Sequence, residues 1–497
     1  MAADAEILKI PQVIMINLHR KLRRTVGAEL PLCFIHLDGI HKEPPPYVNG
    51  KENLIANEKN LTSGKPFSVL WRFTLPVIGG NLFQLFYTLA DSVIVGKTLG
   101  ANALAAVGST TTIIYFVLCF IQGFTGGFGI RLGQMCGAGK EKGMKRSATV
   151  SWILSLAFTL ILTGVCCLLA HPILRWMQTP QEIYQDAYDY MLVILLGTGA
   201  TIFYNIISNM LRALGDSRTP LIFLVLSSLL NIVLDILFIV PLQMGVAGAA
   251  WATVLSQLVS ALLCTAVGLR RFPVLWPGKL SAARLRSEVL ALLRIGFPMG
   301  FQMSVMCIGQ LAMQAAVNHL GPEAIAGYTA ATKVDQLSVL MNNAFGIALS
   351  SYVAQNYGAG LFGRIREGIR ASLLQTEAAN LAMCALLVLG RNLVTPLFID
   401  NPTPAIVSYA NGYLLAVAPF YLFLGLLLVY RTAVQSMGNT WAPFAACMAE
   451  LILRIAGTAG LSKLLGYTGI CLSSPMAWIG ATALLIPVYR LEMKKGR

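Results

Sequence analysis

The chain has 497 residues, of which 56% are apolar and only 12% charged, and its net charge is +15. Soluble domains carry about 25% charged residues, so this balance excludes an ordinary soluble protein and points to a lipid bilayer. No soluble basic domain carries the excess charge, which argues against a nucleic-acid partner. The ten cysteines form no CxxC pair and the five histidines have no second ligand near them, which argues against a metal site.

In chain order, residues 1–65 mix charges with "HKEPPPYVNGKEN", whose Pro, Asn and Gly predict a flexible cytoplasmic tail. Twelve apolar segments follow, each long enough to cross a bilayer, which takes about 20 residues. Six cover 67–97, 103–130, 148–170, 187–212, 219–240 and 246–269 and form a first lobe over 66–269. A basic linker with Pro273 and Pro277 spans 270–288. The other six, at 289–318, 324–354, 371–390, 408–431, 441–462 and 468–489, form a second lobe over 289–490, and residues 491–497 are a basic C-terminus. Assigning the connections alternately to two sides places twenty Lys and Arg on one side, Arg431 among them, and four on the other. The basic side, with both termini, is expected in the cytoplasm, and the protein in the plasma membrane.

The lobes repeat each other. "LGANALAAVG" at 99–108 aligns with "LGPEAIAGYT" at 320–329, and the same offset carries "GQMCGAGK" (133–140) onto "AQNYGAGL" (354–361). A second match pairs "MLRALGDSRTP" (210–220) with "TAVQSMGNTWAP" (432–443). A shift of six spans preserves direction through the membrane, so the expected fold is an all-α integral membrane protein. Its two six-helix bundles are related by a pseudo-two-fold axis along the membrane normal. Two packed bundles around a cavity suit alternating access.

The repeat is unequal in its acids. Asp91 of the first span aligns with Ala312, and Asp235 of the fifth with Thr458, so the first lobe alone owns this carboxylate pair. An acid inside hydrocarbon is costly and is by default a functional hypothesis. Each lies about six residues, or roughly 9 Å, below the outer face. Two like charges at one depth can share a cavity that takes up protons or a monovalent cation. Tyr87 and Asn231 each precede an acid by four residues and so share its helix face. Pro76 lies mid-span and permits a kink. In the second lobe, Glu450 and Arg454 have the i, i+4 spacing of an ion pair, Lys333 has Asp335 and Glu450 as candidate partners, and these four are also candidates to line a substrate path. Glu377 is a further acid of that lobe with no partner assigned.

These residues resemble the multidrug and toxic compound extrusion (MATE) family over about 66–490, through "LPVIGGNLFQLFYTLADSVIVGKTLGANALAAVG", "GQMCGAGK", "LRALGDSRTP" and "NIVLDILFIV". The resemblance implies secondary antiport, in which a drug leaves as H⁺ or Na⁺ enters, with no cofactor and no enzymatic activity. It also implies an N-lobe network of Tyr87, Asp91, Asn205, Asn231, Asp235 and Thr253, with Pro76 as the kinking proline. The seventh span, "PMGFQMSVMCIGQ", lacks the glutamate of the NorM-like type, so the chain looks closer to the DinF-like type and to proton coupling. The expected cargo is amphipathic organic cations, handled by a monomer. The alternative is a flippase for a lipid-linked precursor.

Overall fold

The computed structural model describes residues 61–399 and 401–495. Apart from residues 61–65 the expected N-terminal tail lies outside the described residues, as do the last two residues of the basic C-terminus. The first lobe comprises α1 (Pro66–Leu99), α2 (Ala101–Gly137), α3 (Glu141–Trp176), α4 (Gln181–Leu196), α5 (Thr198–Ala213), α6 (Arg218–Ile239) and α7 (Gly245–Arg271). The second comprises α8 (Ala282–Asn318), α9 (Pro322–Gly358), α10 (Phe362–Leu389), the short α11 (Arg391–Val394), α12 (Pro404–Val417), α13 (Tyr421–Ser436), α14 (Trp441–Leu465) and α15 (Tyr467–Lys494). Eleven spans are long and apolar enough to cross by themselves, and α4 with α5 supplies a twelfth, bent by 40°. The two lobes are pseudo-symmetric.

The fourth span therefore departs from the single helix expected over 187–212. It breaks at Gly197, where a β-carbon would meet Val254 Cγ2 at 2.1 Å, so the bend seats backbone directly against α7. The tenth span stays continuous but tightens at the matching place of the second lobe, in the 3₁₀ turn Ala418–Phe420. There Pro419 lacks an amide hydrogen and its ring crowds the preceding turn. By contrast α1 continues through Pro76 as one helix.

The linker is partly helical and is held to the first lobe. Gly278 N donates to Thr149 Oγ1 at 3.0 Å and Trp152 Nε1 to Leu275 O at 3.1 Å. Glu288, 1% exposed at the start of the second lobe, accepts from Arg131 at 2.9 Å and pairs with Arg146 at 3.1 Å. Those arginines sit on α2 and α3, so the linker and the seventh span are charged to fit the first lobe.

The first helix of each lobe also leans on the opposite lobe. α1 packs against α9 and α10, with Gln375 Nε2 donating to Phe67 O at 2.8 Å and Asn81 Nδ2 to Leu340 O at 3.2 Å. α8 packs against α2 and α3. The α2–α8 approach runs through glycines: a β-carbon on Gly123 would lie 2.3 Å from Met299 O, and one on Gly127 2.8 Å from Gly296 Cα. Small residues are what let membrane helices approach this closely. The contact continues to the ends of α2 and α9, on the side of the basic loops, where the lobes are closed against each other.

Candidate functional site

Two helices bring the predicted acids together. α1 and α6 pack along their lengths, and Gly80 allows the approach, since its β-carbon would sit 3.1 Å from Leu224. Asp91 on α1 and Asp235 on α6 are thereby near enough to interact directly. Tyr87 is a neighbour of Asp91, as the i, i+4 spacing predicts, and of Asp235 on the facing helix as well. Asp235 is 0% exposed and Asn231 1%. Asn231 Nδ2 donates to Thr253 Oγ1 at 3.3 Å, joining the fifth and sixth spans.

What the acids lack is a donor. Asp91 Oδ1, Asn231 Oδ1 and both Asp235 carboxyl oxygens are buried, and no hydrogen-bond donor among the described residues reaches them. Buried acceptors in native proteins are almost always paired, and two ionised carboxylates facing one another in hydrocarbon repel. The arrangement is chemically complete with a shared proton between the acids. It is equally complete with a small monovalent cation, to which these oxygens would present negative charge.

Asn205, on the adjoining half of the fourth span, is engaged within its own helix. Its amide donates back to Thr201 O at 2.9 Å within α5, and no hydrogen bond joins it to either acid. One neighbour went unnoticed in the sequence: Tyr190, 9% exposed on α4, lies among Tyr87, Asp91 and Asp235. Its only sequence signal is a place on the buried face of α4, which any packed tyrosine shares.

In the second lobe the expected Glu450–Arg454 pair is present, at 2.9 Å, and it is part of a larger group. Glu450 Oε2 also accepts from Arg431 Nη2 at 2.5 Å, and Arg431 Nη1 reaches Met306 Sδ at 3.6 Å. Arg431 is thus 3% exposed inside the lobe, and its place among the basic residues of the cytoplasmic side is corrected. The reason is its position on α13, five residues short of the helix end, where it meets Glu450 on α14. A small cavity beside the pair is lined by Val305, Met306, Gly309, Cys447, Leu451 and Arg454.

Neither candidate partner of Lys333 is engaged with it. Asp335 accepts instead from Tyr421 at 2.5 Å and Tyr413 at 3.2 Å, Glu450 is taken by the two arginines, and Lys333 is exposed with no ion pair among the described residues. Glu377, which had no assigned partner, lies against Gly425, and both its carboxyl oxygens are buried with no donor among the described residues.

The comparisons with known proteins fall on this architecture. The family model MatE matches twice, over residues 76–237 and 298–459, one match per lobe and spaced as the internal repeat is. The chain belongs to the MatE family of transporters. Among its curated relatives is the "Probable multidrug resistance protein YpnP" of Bacillus subtilis, 32% identical over 440 residues, covering 87% of this chain and 96% of the relative. The "FAD transporter" of Shewanella oneidensis is 22% identical over 427 residues, covering 85% and 94%. Among solved structures, an outward-facing multidrug resistance MATE family transporter superposes with a TM-score of 0.82 at 23% identity, covering 89% of this chain and 99% of that one. As a MatE-family member the chain is a multi-pass membrane transporter, with its predicted acids inside the first matched segment.

Proposed function

We propose that this MatE-family chain is a multidrug exporter that exchanges amphipathic organic cations for inward-moving protons by alternating access between its lobes. The observation that carries the reading is the pair Asp91 and Asp235, part-buried and buried, in which Asp91 Oδ1 and both Asp235 oxygens meet no donor among the described residues, and which the second lobe lacks at the aligned positions. Multidrug names among the relatives support the cargo class. Protonation of the pair, with Tyr87, Asn231 and Thr253 around it, neutralises the site. Loss of the proton restores negative charge that attracts a cationic cargo. Na⁺ at the same oxygens would serve the same exchange. The absence of an acid in "PMGFQMSVMCIGQ" supports the DinF-like assignment and coupling through the first lobe. The reading has both termini in the cytoplasm and a monomer in the plasma membrane.

The test is ethidium efflux from reconstituted vesicles under an imposed pH gradient or an imposed Na⁺ gradient, with Asp91→Asn and Asp235→Asn beside wild type. Export driven by the pH gradient and abolished by either change is the expected result. Export driven only by Na⁺ replaces the coupling ion, and no export under either gradient rejects the reading.

A second reading, a flippase or carrier for an anionic or lipid-linked cargo, is favoured by Arg431. Two buried arginines share Glu450, and the Nε atoms of both have no acceptor among the described residues. The same vesicles, loaded with a fluorescent phospholipid or a flavin nucleotide, separate the two readings.

A further inference from the structure

The two repeated motifs meet across the lobes, and they meet twice. Gln134, from "GQMCGAGK" on α2, donates through Nε2 to Ser436 O at the end of α13, at 2.9 Å. Gln355, from "AQNYGAGL" on α9, donates through Nε2 to Ala213 O at the end of α5, at 2.8 Å. The same repeat offsets relate donor to donor and acceptor to acceptor, so these are one contact and its pseudo-symmetry mate. Each acceptor is the carbonyl of the last residue of its helix, which has no partner within that helix. Each glutamine therefore caps a helix of the opposite lobe.

The backbones are as close as the side chains. A β-carbon on Gly137 would lie 1.8 Å from Gln355 O, and one on Gly358 would lie 1.9 Å from Gln134 O. Any side chain at these two positions would collide with backbone of the opposite lobe, so the close approach requires glycine at both. Gln134 is 8% exposed and Gln355 1%.

One further segment pins the contact. Gln355 Oε1 accepts from Leu61 N at 3.0 Å, and Asn356 Nδ2 donates to Leu61 O at 3.2 Å. Arg364 holds the same strap, through Nη1 to Gly64 O at 3.0 Å and through Nε to Asn356 Oδ1 at 3.1 Å.

We propose that Gln134 and Gln355, with Gly137 and Gly358, form the inner gate of the transporter, and that residues 61–64 are a strap that orients Gln355 within it. The gate rests on the alternating-access reading: both caps must break for the basic side to open, and the freed helix carbonyls then pass to water. The pairing also accounts for the recognisable repeats, because each motif supplies one half of a contact that the other completes.

The test is the distance between nitroxide labels on genetically encoded residues at Lys142 and Glu367. Both are exposed on the inner ends of the two lobes. The protein is placed in nanodiscs and read by electron–electron resonance. Wild type is expected to show one dominant short distance. Gln134→Met with Gln355→Met keeps side-chain volume and removes both donors, and it is expected to raise a longer-distance population at least tenfold. Gly137→Ala with Gly358→Ala, which inserts methyl groups into the closed contact, is expected to do the same through a helix-favouring change. Arg364→Gln loosens the strap and is expected to give a smaller shift in the same direction. An unchanged distance distribution in both double variants overturns the gate. A shift in those variants but none with Arg364→Gln overturns the strap. The distances require neither cargo nor an ion gradient, so failure of ion coupling and failure of the gate give different results.

Discussion

Asp235→Asn tests whether the buried acid pair does work. The residue is 0% exposed, and neither of its carboxyl oxygens meets a donor among the described residues. The substitution changes one oxygen to an amide nitrogen at nearly constant volume. It removes one of two facing charges and adds a donor aimed at Asp91, whose Oδ1 has none. A hydrogen bond to a charged group contributes about 1.5–3 kcal/mol, and the cost of burying a second carboxylate disappears. The variant should therefore unfold at a temperature no lower than wild type. Transport goes the other way. One pH unit corresponds to 1.36 kcal/mol, so exchange of one proton per singly charged cargo can hold about a tenfold cargo ratio across the vesicle. A site that cannot take up the proton holds a ratio of one. The assays are steady-state ethidium distribution under a one-unit pH gradient and thermal unfolding in the same detergent. A stable but uncoupled protein is expected. A ratio near ten with a lowered unfolding temperature would show a packing role for Asp235 and refute the reasoning.

Glu450→Gln leaves Arg431 and Arg454 buried without a counter-charge, a loss of about 3–5 kcal/mol, visible as a large drop in unfolding temperature and in membrane expression. Lys333→Ala should change stability by less than about 0.5 kcal/mol, because the side chain is exposed and makes no ion pair among the described residues. Gly197→Ala places a methyl group against Val254 at the break of the fourth span and should cost about 1–3 kcal/mol by thermal unfolding. Glu377→Gln supplies a donor where the acid has none, and it should leave the unfolding temperature unchanged or raised.

Read alone, the sequence divides the chain into apolar spans and two repeats and singles out Asp91 and Asp235 as acids without a counterpart. Bilayer thickness sets span length, and a repeat leaves residues such as Asp91 without a partner at Ala312. It also placed Glu450 beside Arg454, because i, i+4 neighbours on one helix need no tertiary information. Contacts between helices were decided only by packing. Arg431 reads as a loop charge until α13 turns it onto α14, and Lys333 has two acids to choose from until tyrosines and arginines claim both. The break in the fourth span follows from the same limit. Gly197 looks like any glycine in an apolar run until Val254 is seen against it. The repeated glutamines were legible as a motif but not as a contact, since the carbonyls they cap lie at the ends of helices in the other lobe. Periodicity along a chain records which face of a helix is buried, and it holds no record of what buries that face.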